Sequence, residues 1–241
     1  EDELREFRRS QTAMVFQKFA LLPHRTVIDN VVFGLEVRGL PPAKARETGM
    51  RWLDRVGLSG FEARYPAELS GGMQQRVGLA RALSNDAAIL LMDEAYSALD
   101  PLIRTDMQSM LLDLQAELKK TVVFITHDLD EALRLGDQIV ILRDGEVVQQ
   151  GDSQSILLTP ADDYIRRFVK DVNRGRFLKV DAVMSPEPGT GPSIPTGTTP
   201  EAAAALLTRS GSDSALITGP GGAPLGHVTP RQITAALSSG A

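Results

Sequence analysis

The 241-residue sequence contains no cysteine. Disulfides and thiolate metal sites are thereby excluded, and the composition suits a reducing compartment. No apolar run approaches the ~20 residues that cross a bilayer as a helix. Excess positive charge is also missing. The net charge of -5 leaves no electrostatic footprint for nucleic acid. No signal-peptide pattern opens the chain. It starts Glu1-Asp2-Glu3 and its first methionine is Met14, so it reads as a fragment of a longer reading frame. One further absence matters more. No glycine precedes Gly34, and no glycine is followed by lysine. The phosphate-cradling motif G-x-x-x-x-G-K-S/T, with backbone N–H groups and a lysine on the phosphates and a hydroxyl on Mg²⁺, is therefore absent.

What is present is an ordinary globular composition, 42% apolar and 24% charged, long enough for one to two domains with a real core. Glu1 to Arg9 is charged and reads as the end of a helix. Met14-Val15-Phe16 is a short apolar run ending at Gln17, and a loop follows through Pro23-His24. Val27 to Leu35 reads as helical. Pro41-Pro42 opens the next helix, with Met50, Leu53 and Val56 at helical spacing and Gly57 as its stop. Ser70 is placed to cap a helix whose apolar stripe is Met73, Val77, Ala80 and Leu83. Ala88 to Met92 is continuously apolar, as in a parallel strand covered on both faces. Met107 to Leu118 reads as a helix with Met107, Met110, Leu111, Leu114 and Leu118 inward. Val122 to Ile125 reads as a second buried strand, ending at Thr126-His127. Strands alternating with helices predict a parallel α/β sheet. Ile139 to Leu142 and Val147-Val148 flank Asp144-Gly145, a hairpin signal. Two short helices are expected over Ser153 to Leu158 and Pro160 to Val172.

Composition shifts near Asn173-Arg174-Gly175, and five prolines fall between Pro186 and Pro200. A disordered tail has this composition. Against it, Pro200 to Leu207 and Pro230 to Leu237 read as helices, and Ser214 to Thr218 and Gly226 to Thr229 as strands, so a small folded module is expected.

Asp93 follows a strand pattern, which places its carboxylate at the carboxyl edge of the sheet, where open α/β sheets bind ligands. A hard carboxylate there suits Mg²⁺. Glu94 beside it is placed to orient or deprotonate a water for attack on a phosphate. Taken alone, the two read more readily as a pair of solvated loop carboxylates. Ser70-Gly71-Gly72 opens a helix, where bare N–H groups favour an anion, although an ordinary cap after a glycine turn looks the same. His127 ends a strand, and a neutral imidazole there reaches a phosphate or its attacking water. A lone histidine is more often structural. Gln17 alone carries little.

The order of these signals decides between the readings. Gln17, Ser70-Gly71-Gly72, Asp93-Glu94, Asp100 and His127 occur in one sequence, each at the right kind of structural edge. Residues 1–172 resemble an ATP-binding cassette ATPase: an α/β, P-loop NTPase-like fold lacking its N-terminal Walker A segment. The resemblance implies ATP and Mg²⁺ as ligands. It makes Gln17 the Q-loop glutamine, a ligand of Mg²⁺ or water. Ser70, Gly71 and Gly72 become the signature that meets the γ-phosphate held by an opposite subunit. Asp93 becomes the Walker B magnesium residue, Glu94 the catalytic base, Asp100 the D-loop residue and His127 the switch histidine. Met73 departs from the commonest signature, which has glutamine, and receives no ligand role.

Phe16 to His24 and Met92 to Arg104 are similar to the glycine betaine/proline importers. Residues 179–241, through Val183-Met184-Ser185-Pro186, Thr199-Pro200-Glu201-Ala202 and Gly226-His227-Val228-Thr229, resemble a single cystathionine-β-synthase-type (CBS) unit, a small α+β module. Residues 173–178 are the linker. The implied function is ATP hydrolysis that energises osmolyte import. The implied partners are transmembrane permease subunits docked near Gln17 to Asn30, a second ATPase subunit and, indirectly, a substrate-binding protein, with no nucleic acid. The implied location is peripheral, on the cytoplasmic face of the membrane. The alternative is a non-catalytic regulatory or interaction module, favoured by the missing motif.

Charge-assisted hydrogen bonds contribute roughly 1.5–3 kcal/mol each. Losing several lowers affinity by far more than ~10³-fold. The chain alone is therefore expected to bind ATP weakly or not at all in isothermal titration calorimetry, and a micromolar dissociation constant would contradict this.

Overall fold

A computed structural model of the chain describes residues 1–187 and 189–238. Three parallel strands organise the first half, in the order β1-β2-β3. They are β1 (Thr12–Val15), β2 (Ile89–Asp93) and β3 (Thr121–Ile125). The register pairs Thr12 with Ile89 and Ile89 with Thr121, and it ends with Val15 opposite Met92 and Asp93 opposite Ile125. Parallel pairing brings the ends of all three strands to one edge. Gln17, Asp93-Glu94 and His127 follow those ends and share that edge, as their positions in the sequence predicted.

Helices pack around this ladder for local reasons. The first, α1 (Asp2–Ser10), buries no residue. In α2 (Val27–Val37) the Thr26 side chain accepts from the Asp29 N–H, and Val27, Ile28, Val31, Val32 and Leu35 are buried. Asn30 is fully buried. Its amide takes the Leu22 N–H and donates to the carbonyls of Leu22, Arg25 and Thr26, which ties down the loop ahead of α2. In α3 (Pro42–Arg55) the first proline sits in the opening turn, and Ala45, Gly49 and Leu53 face inward. A β-carbon on Gly49 would lie 2.6 Å from Val32, so only glycine allows α2 this close. Met50, expected inward, is 40% exposed. It sits one residue past the buried Gly49, off the inward stripe. In α4 (Gly71–Ser84) the expected stripe is present, with Val77, Ala80 and Leu83 buried. In α5 (Pro101–Leu118), Met107, Leu111 and Leu114 are buried, while Met110 and Leu118 are only half-buried.

The second half contains α6 (Leu129–Leu135), then the hairpin of β4 (Ile139–Arg143) and β5 (Glu146–Gly151). Asp144 and Gly145 both take positive φ in its turn, as an Asp-Gly hairpin requires. Two capped helices follow, α7 (Ser153–Leu158) and α8 (Asp163–Phe168), the latter shorter than expected. The last elements are β6 (Ser193–Pro195), α9 (Pro200–Ser210), β7 (Ala215–Thr218), β8 (Pro224–Val228) and α10 (Pro230–Ser238). This βαββα unit has a three-stranded sheet in the order β6-β7-β8 and its own apolar core, including Ile194, Ala203, Leu207, Ile217 and Val228. Its helices and later strands match the sequence reading. The proline-rich run was not expected to hold a strand, but β6 pairs on only one side, where proline is tolerated. Pro188 of that run lies outside the described residues. The chain divides into two compact units, residues 1–127 and 128–241.

Val122 to Ile125 and Ile89 to Met92 read as strands that are normally covered on both faces, with part of that apolar surface left exposed where the N-terminal segment is absent. In β3 one face is open, with Val123 48% and Ile125 58% exposed. β3 is also an edge strand, since β2 lies on one side of it and no described strand lies on the other. An uncharged, β-branched edge of this kind recruits other strands. The chain is therefore expected to self-associate in size-exclusion chromatography. Val123→Lys should raise the monomeric fraction while changing unfolding stability by no more than about 0.5 kcal/mol. A monodisperse wild-type monomer would refute this.

Candidate active site

Glu94 is the centre of the edge built by the strand ends. Its backbone leaves β2 through a left-handed residue, φ +42°, with its N–H on the Ile125 carbonyl at 2.9 Å. Left-handed backbone at a non-glycine residue costs of order 1–3 kcal/mol and gathers at functional sites. The Glu94 carboxylate takes two neighbours. Gln17 Nε2 donates to one oxygen at 2.9 Å, and His127 Nδ1 lies 3.2 Å from the other. The carboxylate thus joins the ends of β1, β2 and β3. It is one-third exposed and the His127 ring two-thirds, so water reaches the cluster.

Ser97 completes it. Gln17 Nε2 also donates to Ser97 Oγ at 3.1 Å, and that hydroxyl donates onward to the Glu94 carbonyl at 3.0 Å. Both donors of the Gln17 amide are thereby used, which fixes its orientation and leaves Oε1 free to accept or to ligate. Asp93, at the last position of β2, is exposed, and its side chain makes no hydrogen bond or ion pair among the described residues. Its carboxylate is available.

The Asp93 carboxylate and the Gln17 Oε1 are hard oxygen donors of the kind Mg²⁺ takes. That ion usually keeps several waters and takes one or two protein oxygens beside phosphate oxygens. An all-protein cage is not present: among the described residues no three His, Asp or Glu side chains converge on a metal position.

The other predicted residues make local contacts of their own and none with the Glu94 carboxylate. Ser70 caps α4, accepting from the Met73 N–H at 3.3 Å, so the N–H end of that helix is ordered and exposed. A β-carbon on Gly72 would lie 2.5 Å from Ile103 of α5, and one on Gly71 would touch Phe19. Asp100 caps α5 through the Ile103 N–H at 3.1 Å. Between Glu94 and Asp100 the loop is held by apolar burial. Tyr96 is fully buried, its ring 5.5 Å from that of Phe124, with Ala95 and Leu99 beside it.

Sequence reasoning missed two residues. Ser97 carried no motif weight, although it lies three residues past Glu94. Arg81 lies inside a helix pattern, yet its guanidinium reaches the carbonyls of Ala20 at 2.6 Å and Phe19 at 3.0 Å. Burial lowers its pKa from the ordinary arginine value. Phe19 and Ala20 are themselves left-handed, at φ +57° and +47°.

Comparison with known proteins agrees with this geometry. The family described as ABC transporter matches residues 1–97. The chain is 56% identical over 183 residues to the glycine betaine transport ATP-binding protein OpuAA of Bacillus subtilis, covering 76% of this chain and 44% of that protein. It is 58% identical over 171 residues to the glycine betaine/proline betaine transport system ATP-binding protein ProV of Escherichia coli, covering 71% and 43%. The chain thus spans less than half the length of these curated relatives. Among solved structures, a post-hydrolysis dimer of the ATP-binding cassette MJ0796 bound to ADP and Pi matches with a TM-score of 0.57 at 36% identity. That match covers 64% of this chain and 67% of that one. The fold, the shared edge of Gln17, Glu94 and His127, and these likenesses agree: the chain belongs to the ATP-binding cassette ATPase family.

Proposed function

We propose that this chain is the hydrolytic and signature-bearing part of an ATP-binding subunit. That subunit would energise import of glycine betaine- or proline-type osmolytes. The observation that carries the reading is the Glu94 carboxylate held between Gln17 Nε2 and His127 at the carboxyl ends of three parallel strands. The names of the relatives support the solute class.

Each residue then has one task. Glu94 orients the attacking water and draws its proton. Its carboxylate keeps open lone pairs beyond the two contacts already made. His127 holds one carboxylate oxygen and faces the γ-phosphate. Asp93 and Gln17 Oε1 would hold Mg²⁺, which when bound neutralises charge on the transferred phosphoryl group. The N-terminus of α4 offers Ser70, Gly71 and Gly72 to a nucleotide gripped by a second subunit. Asp100, exposed at the start of α5, faces that subunit. The loop pinned by Asn30 is the docking region for transmembrane permease subunits, with a substrate-binding protein acting through them. The site of action is the cytoplasmic face of the membrane; among the described residues no helix is long and apolar enough to cross it. Residues 179–241 form a single CBS-type regulatory unit joined by residues 173–178, a reading supported by the βαββα order of β6 to α10.

A chimera tests this. The P-loop segment of the Bacillus subtilis relative is joined ahead of residue 1 and reconstituted with that relative's permease. Hydrolysis should be stimulated by glycine betaine, and Glu94→Gln should lower kcat by at least ~10²-fold with ATP binding retained. Hydrolysis indifferent to Glu94→Gln would rule the reading out.

A further inference from the structure

Gln17 reaches Glu94 from a segment that local forces do not hold. Just beyond it, Phe19 and Ala20 form two consecutive left-handed residues, and neither is glycine or asparagine. In that region the β-carbon crowds the following carbonyl, so an isolated chain leaves it. The segment's own backbone bonds are short-range, from Phe19 N–H to the Phe16 carbonyl and from Ala20 N–H to the Lys18 carbonyl.

The opposing force comes from α4. Arg81 donates from Nη1 to the Ala20 carbonyl and from Nη2 to the Phe19 carbonyl, so one planar fork closes on both strained residues. Such a fork fixes direction as well as distance, which a lysine cannot do. Among the described residues no carboxylate pairs with Arg81, and the two carbonyls are its hydrogen-bond partners. The face of α4 beside the kink is shaped to admit it. β-Carbons on Gly71 and Gly78 would each lie 3.7 Å from Phe19. Gln75, between them on the helix, is fully buried with neither amide atom bonded. That face therefore holds a partly buried cation and, among the described residues, a buried amide without a partner, where apolar residues would pack more favourably, a pattern expected of a positional rather than a stabilising role.

We propose that Arg81 is a positioning residue for the hydrolytic site. Its two-pronged grip holds the left-handed Phe19–Ala20 kink, and the kink delivers the Gln17 amide to Glu94 and Ser97. The inference deepens the reading of Gln17 and Glu94 as one site, and it concerns the free chain, with no nucleotide involved.

Hydrogen exchange and NMR on the 241-residue chain provide the test. Arg81→Lys keeps the cation and removes the fork. Amide exchange across residues 16–22 should rise at least about tenfold, while Val77 and Ala80 in α4 stay protected. The Gln17 side-chain amide should exchange like a free glutamine. Ala20→Gly, which removes the conformational strain, should restore protection and the Gln17 amide in the Arg81→Lys background. Unchanged protection of residues 16–22 in Arg81→Lys overturns the proposal, as does loss that Ala20→Gly fails to reverse. If Arg81→Lys prevents folding, recovery on adding Ala20→Gly supports the proposal and continued failure overturns it. Because no readout uses ATP, these outcomes are separate from those of the chimera. Hydrolysis there that ignores Glu94→Gln would reject the reaction and leave the clamp standing.

Discussion

The parallel ladder through β2 is the constraint on which the rest depends. Pairing Val15 with Met92 and Asp93 with Ile125 sends three chain segments off the same edge at the same height. Nothing local to Gln17, Glu94 or His127 would bring them together, since each lies in a different segment. The ladder does so with backbone hydrogen bonds, and burial of Val15, Leu90 and Met92 holds it. The chemistry is added at little further cost: one carboxylate collects an amide on one side and an imidazole on the other.

Reading the sequence recovered this edge because its signals are local. A continuous apolar run predicts a strand, and the first polar residue after it marks the strand's end. Met14-Val15-Phe16 with Gln17, Ala88 to Met92 with Asp93-Glu94, and Val122 to Ile125 with Thr126-His127 all follow that rule. Ser70 was legible for the same reason, since a cap and its helix are adjacent in sequence. Other features left no local trace. Arg81 and Ser97 act through long-range bonds to backbone and side chain across the fold. The left-handed residues Phe19, Ala20 and Glu94 carry side chains that normally argue against that conformation. The exposed face of β3 was legible only indirectly, because an apolar run reports the need for burial and the absent N-terminal motif reports that some of the cover is not in this sequence.

That open edge and the missing G-x-x-x-x-G-K-S/T motif bear on the same question. The described strand edge carries carboxylates, an amide and an imidazole, groups suited to water activation. It has no backbone cradle and no lysine with which to grip a triphosphate by itself. Under the proposed function, Asp93 and Glu94 would work with a phosphate-holding segment of the kind grafted in the chimera.

The central claim is that Gln17, Glu94 and His127 act as one unit. The most direct measurement is a mutant cycle of kcat in the P-loop chimera, with Gln17→Ala, Glu94→Gln and His127→Ala made singly and together. Groups that act as a unit are strongly non-additive. The account predicts that Glu94→Gln alone comes close to the full loss, with the other two changes adding little to it. Losses that multiply independently across the three positions would contradict it.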